Sequence, residues 1–109
     1  MTSPDILVID DQRTFRFDAV YARDAAQGVT LLDQHAWSEV WLDFDLGHGT
    51  DISPVLHHLE QRASAGRPVP IGRIYVHTSS PEDGERMVTS LGRWYQVRRV
   101  LAHSYLAPA

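Results

Sequence analysis

Cysteine is absent from this 109-residue chain, and so is lysine: all ten basic side chains are arginine. Without cysteine there is no disulfide, no thiolate zinc site and no cysteine nucleophile, a composition compatible with a reducing compartment. Long apolar runs are lacking too. The N-terminal stretch MTSPDILVID has no basic segment, and its apolar run is too short for a signal sequence or a membrane span, so a cytoplasmic protein without a membrane partner is expected. The formal net charge of −4 is mild and dispersed, leaving no basic footprint for duplex DNA. Internal repeats and low-complexity segments are also missing. The length suits one domain over 1–109, burying roughly two-thirds of its unfolded surface.

What is present is an alternation of apolar strands and amphipathic helices. Ile6 to Ile9 is a continuous apolar run closed by Asp10-Asp11, the pattern of a strand buried on both faces. Ala19 to Ala22 forms a short second strand, and Asp24-Ala25-Ala26-Gln27 opens a helix to about His35 through a capping box, with Val29 and Leu32 facing inward. Val40-Trp41-Leu42 ends in Asp43 and runs into the acidic, glycine-containing loop Phe44 to Gly49. Ser53-Pro54 pairs an N-cap hydroxyl with proline at the first helical position, and Val55, Leu56, Leu59 and Ala63 recur at helical spacing up to Gly66. After the linker Arg67 to Gly72, Ile74-Tyr75-Val76 makes a strand ending in His77-Thr78-Ser79. Ser80-Pro81 starts another helix with Glu82 and Asp83 in its first turn and Met87, Val88 and Leu91 inward. Gln96 to Leu101 supplies a last strand, and Ala102 to Ala109 is too short for a full closing helix.

Such alternation implies a mostly parallel sheet, in which ligands bind beyond the carboxyl ends of the strands. Asp10, Asp11, Asp43 and the His77-Thr78-Ser79 run all fall at those ends. Crowded carboxylates repel unless a proton or a cation neutralises them. Magnesium suits the need, taking one or two carboxylates together with phosphate oxygens at about 2.1 Å. The plainer reading of Asp10-Asp11 alone is a turn or cap, and of His77 alone a core histidine. At a strand end beside two hydroxyls, His77 is equally placed to act as general acid or base or to contact phosphate. His57 and His58 read as a solvated helix face, His48 as a surface-loop residue, and Trp37, Trp41 and Trp94 as packing rather than a base-stacking platform.

The order of these motifs resembles the receiver domain of response regulators: Ile6 to Asp11 its acidic first strand, Leu42-Asp43 its phosphoacceptor strand, Val76-His77-Thr78 the strand ending in a hydroxyl residue. Two departures stand out. Receiver chemistry also uses a lysine after the fifth strand, and Gln12 to Asp18 is too short for a helical crossover and has to run back extended. A narrower group shows the same departures, the cyclic-phosphate processing receiver-like domains, which this chain resembles through Ile9-Asp10-Asp11-Gln12-Arg13, Leu42-Asp43-Phe44-Asp45-Leu46-Gly47 and Val76-His77-Thr78-Ser79-Ser80-Pro81. The resemblance implies a flavodoxin-like, receiver-like five-stranded sheet, truncated, lacking the first and the last receiver helix. It further implies metal-dependent handling of a cyclic phosphate on a nucleotide or RNA end. On that reading Asp10, Asp11 and Asp43 hold Mg²⁺ or another divalent cation, with Asp43 as ligand or nucleophile. His77 is acid or base, and Thr78, Ser79 and Arg13 position phosphate. Phe44 stands where the family usually carries histidine, so the alternative is a catalytically inactive receiver-like protein-interaction module.

The missing helices leave one sheet face to be covered. Phe15 and Phe17 of the extended segment, with Tyr105 and Leu106, are candidates; a second copy across a twofold interface is the other, giving the expectation of a homodimer.

Overall fold

The computed structural model describes residues 5–101. In chain order the elements are β1 (Ile6–Ile9), β2 (Val20–Ala22), α1 (Ala25–Leu32), β3 (Trp37–Asp43), β4 (Asp45–Gly47), β5 (Thr50–Asp51), α2 (Ser53–Ser64), β6 (Ile71–His77), α3 (Pro81–Leu91) and β7 (Val97–Arg99). Five strands form one sheet in the order β2-β1-β3-β6-β7, and every pairing in it is parallel rather than most of them. This is a receiver-like α/β fold.

Helix starts follow the capping chemistry closely. Asp24 accepts the Gln27 N–H at 2.8 Å, and the Gln27 side chain reaches back to the Arg23 N–H at 2.8 Å. Ser80 caps α3 by accepting from Asp83 N at 3.3 Å. At α2 the expectation shifts by one residue: Ser53 is already helical, and the stabilising acceptor is Asp51, which takes the Ser53 N–H at 2.8 Å. α1 stops at Leu32, short of His35, and the indole of Trp37 donates to the Leu31 carbonyl at 3.2 Å. β6 begins at Ile71, so part of the supposed linker is strand, and β7 is confined to Val97–Arg99. β4 and β5 form a small antiparallel hairpin within the stretch read as a loop.

Strand alternation divides the buried residues between the two faces. Leu7, Ile9, Val40, Leu42, Ile74 and Val76 join Leu32, Val55, Leu59, Met87 and Leu91 in the core beneath α1, α2 and α3. Buried Gly28 lets α1 approach β1 closely, since a Cβ there would lie 2.7 Å from Ile9 Cδ1. The opposite face is built on Val8, Trp41 and Tyr75. No helix occurs between β1 and β2; residues 10–19 cross that face as an extended strap. Phe15 is buried on it, with its ring 5.5 Å from Trp41 and 5.5 Å from Phe17. The Phe15 N–H donates to the Tyr21 hydroxyl at 2.8 Å, fixing the strap to β2. Phe15 and Phe17 thus supply cover on this face, as expected of the extended segment. The expected lack of a closing helix, and the roles given to Tyr105 and Leu106, fall outside the described residues. Among the described residues no helix is long and apolar enough to cross a membrane.

Candidate functional site

Parallel register places three side chains in a row. Ile9 lies opposite Leu42, so Asp10 follows alongside Asp43, which is itself paired with His77. By alternation these three share the parity of Val8, Trp41 and Tyr75 and point toward the strap, where Phe15 meets the His77 ring edge-on at 6.5 Å. They are the three polar or charged residues buried among the described residues. His77 Nε2 lies 3.4 Å from Asp10 Oδ2, and His77 Nδ1 lies 3.8 Å from Asp43 Oδ1.

The strap closes over this row. Asp10 Oδ1 accepts the main-chain N–H groups of Gln12 at 3.0 Å and Arg13 at 2.9 Å. The Arg13 guanidinium turns back between the carboxylates, with Nη1 3.2 Å from Asp43 Oδ2 and 3.5 Å from Asp10 Oδ2. A second arginine, unnoticed in the sequence, holds the turn: Arg23 Nη1 donates to the Arg13 carbonyl at 2.7 Å and to the Asp10 carbonyl at 3.2 Å. Its guanidinium also lies over the Tyr21 ring at 4.6 Å. No local motif marks Arg23; it matters because β2 ends beside β1.

Burial acts on the two carboxylates with different outcomes. It opposes the Asp10 charge, yet the His77 contact, the two main-chain N–H groups and the Arg13 charge outweigh it, holding the carboxyl well below the usual range. Asp43 has fewer donors. Burial pushes it up to about 6, the neighbouring Asp10 charge adding to the rise against the pull of His77 and Arg13.

Asp10, Asp43 and His77 each offer a ligand atom within 4.8 Å of the others. Ligands of a six-coordinate ion at about 2.1 Å lie roughly 3 to 4 Å apart, so small side-chain adjustments let this group close on a divalent cation. Two carboxylate oxygens suit magnesium, and the imidazole nitrogen extends the choice to manganese or a later transition metal. Asp11 stands apart from this group. Beyond the end of β1 the chain bends, and Asp11 lies at the rim of the same cleft beside the hairpin, where its Oδ2 would lie 2.6 Å from a Cβ at Gly47. Gly47 has φ +79°, so glycine is required there on both counts.

The cleft in front of the row has a volume of about 270 Å³ and is bordered by Asp11, Arg13, Asp45, Gly47, Thr78 and Ser79. Thr78 Oγ1 accepts the Ser80 N–H at 3.2 Å, which leaves its own hydrogen to donate; Ser79 is exposed. Phe44 has the opposite parity from Asp43 and packs against the helix-side core. Of the other histidines, His58 contacts Asp33 at 2.9 Å, while His48 and His57 are exposed. Trp37 and Trp41 are buried as expected and Trp94 is half-buried.

The fold and the acidic row at its carboxyl edge define a receiver-like domain. Consistent with this, the receiver domain of Francisella response regulator 1452 superposes with a TM-score of 0.54 at 18% identity, over 87% of this chain and 84% of that one. The cyclic-phosphate processing receiver domain family matches residues 6–93, and the chain belongs to that family. No curated protein matches it significantly.

Proposed function

We propose that this domain binds a divalent cation, magnesium first, and uses it to process a cyclic phosphate on a nucleotide or RNA end. The row Asp10-Asp43-His77 carries the reading: a buried, oxygen-rich group with one imidazole, opening into a polar cleft. Asp10 and Asp43 would hold the cation, and the cation would supply charge neutralisation at the phosphate. Asp11, outside this group, would act through the hairpin or through cation-bound water. His77 sits where it can exchange a proton with a leaving oxygen or complete the cation's ligands. Arg13, Thr78 and Ser79 would take the phosphate oxygens, arginine through its planar fork and Thr78 through its spare hydrogen. Phe44 packs into the core, so an imidazole is not missing from the row itself. A cytoplasmic setting is part of this proposal, and the cysteine-free composition is compatible with it.

Hydrolysis of a nucleoside 2′,3′-cyclic phosphate by the purified chain tests the reading. Turnover is expected with Mg²⁺, and loss of at least 10²-fold in Asp43→Asn and His77→Ala; unchanged turnover in either variant would sink the assignment. One observation favours the rival reading of an inactive interaction module: Arg13 already neutralises the two carboxylates within the chain. Mg²⁺ that left the melting temperature unmoved would support that rival, because a ligand specific to the native state must stabilise it.

A further inference from the structure

The position of Arg13 bears on how cation and phosphate enter the cleft. Its main chain is fastened at both ends of the residue, the N–H to Asp10 Oδ1 at 2.9 Å and the carbonyl to Arg23 Nη1 at 2.7 Å. Its side chain, by contrast, is 42% exposed and, among the described residues, bound only through Nη1, at 3.2 and 3.5 Å, to the same two carboxylates that would hold a cation. A guanidinium and a divalent ion cannot both lie between Asp10 Oδ2 and Asp43 Oδ2. Release of the arginine needs side-chain torsions alone, since the fastened backbone does not have to move.

We infer that Arg13 is a resident counter-ion that the cation must displace, and that the displaced guanidinium becomes the arm that takes the phosphate. The inference rests on the proposed function and adds a coupling to it. An anion in the cleft draws Arg13 off the carboxylates and strengthens cation binding; by linkage, the cation strengthens anion binding by the same factor. Either ligand alone works against the internal ion pair, whereas together they satisfy carboxylates and guanidinium at once. The cleft is thereby biased toward the pair, a cation with a phosphate, over a free cation.

Calorimetric titration of the full chain with Mg²⁺, with and without inorganic phosphate, tests this without any activity readout. Arg13→Gln is expected to bind Mg²⁺ about tenfold more tightly than the wild type when phosphate is absent, the scale of a lost charge-assisted pair. The enhancement that phosphate gives to Mg²⁺ binding should be at least threefold smaller in Arg13→Gln than in the wild type. Arg13→Lys keeps the counter-charge and should stay within about threefold of the wild type. Equal Mg²⁺ affinity in Arg13→Gln and wild type overturns the inference while leaving the proposed cation site standing. An Arg13→Lys as tight as Arg13→Gln also overturns it, because charge would then not be what competes. Absence of Mg²⁺ binding in all three proteins overturns the inference and the cation site together.

Discussion

Asp10 and Asp43 lie side by side at the ends of neighbouring strands, yet their protons respond differently to acid. The Asp43 carboxyl is raised from 3.8 to about 6, so the folded state holds this proton more tightly than the unfolded chain does. Its burial therefore costs nothing below about pH 4 and its full amount above about pH 6, on the order of 3 kcal/mol at roughly 1.4 kcal/mol per unit. Asp10 runs the other way: its lowered carboxyl contributes stability above about pH 4 that is lost as the pH falls further. In cation-free buffer, Asp43→Asn should raise the urea midpoint at pH 7.5 and flatten the stability profile between pH 4 and 6. A variant no more stable than the wild type at pH 7.5 would show that burial does not raise the Asp43 carboxyl. The same substitution should abolish stabilisation by Mg²⁺, which separates a gain in stability from a loss of function at one residue.

At the level of elements, the strap between β1 and β2 decides where the site's polar groups go. Tyr21 accepts the Phe15 N–H and carries the Arg23 guanidinium on its ring. Tyr21→Phe leaves a donor on a buried residue without its acceptor and should cost about 1 to 2 kcal/mol in urea unfolding. It should also weaken Mg²⁺ binding, because the strap that Tyr21 fastens at Phe15 begins with the Gln12 and Arg13 N–H groups that hold Asp10. An unchanged midpoint would mean that solvent takes over the N–H.

Much of this was legible from sequence because it depends on local chemistry. The Ser80-Pro81 and Asp24 starts declare themselves through a hydroxyl or carboxylate at the cap, and β1 and β3 through unbroken apolar runs ending in aspartate. The too-short crossover followed from chain length alone. The hairpin was not legible: β4 and β5 are only 3 and 2 residues, mostly polar, and joined through positive φ at Gly47, His48 and Gly49. Adjacency alone does not tell Asp10 from Asp11: Asp10 lies in the buried row, and Asp11, past a bend, lies at the rim of the same cleft. Arg23 gave no signal, since its partners are carbonyls brought near by the pairing of β1 with β2.

Across the described residues, the sheet has helices on one side and an extended segment on the other. Phe15, 3% exposed, does the work of an absent helix by filling the space over Val8 and Trp41. Phe15→Ala should therefore cost about 3 kcal/mol or more, within the range for deleting a buried aromatic ring, as measured by the urea midpoint. The cover lies within the chain, and sedimentation equilibrium at high micromolar concentration should give a monomer mass. A dimer mass would show that the surface left beside the strap, around half-buried Tyr21 and Tyr75, pairs with a second copy.

The strap is at once the roof of one sheet face and the segment that delivers Arg13 to the carboxylates. Local unfolding of the strap would break the main-chain anchors of Arg13 and uncover Val8 and Trp41 together, whereas ligand entry moves only the Arg13 side chain and needs those anchors in place. Occupancy of the cleft should then be readable well away from it, as slower amide hydrogen exchange along residues 14–19 and at the Phe15 N–H. The strap's amides would report, in their exchange rates, on events at the carboxyl edge.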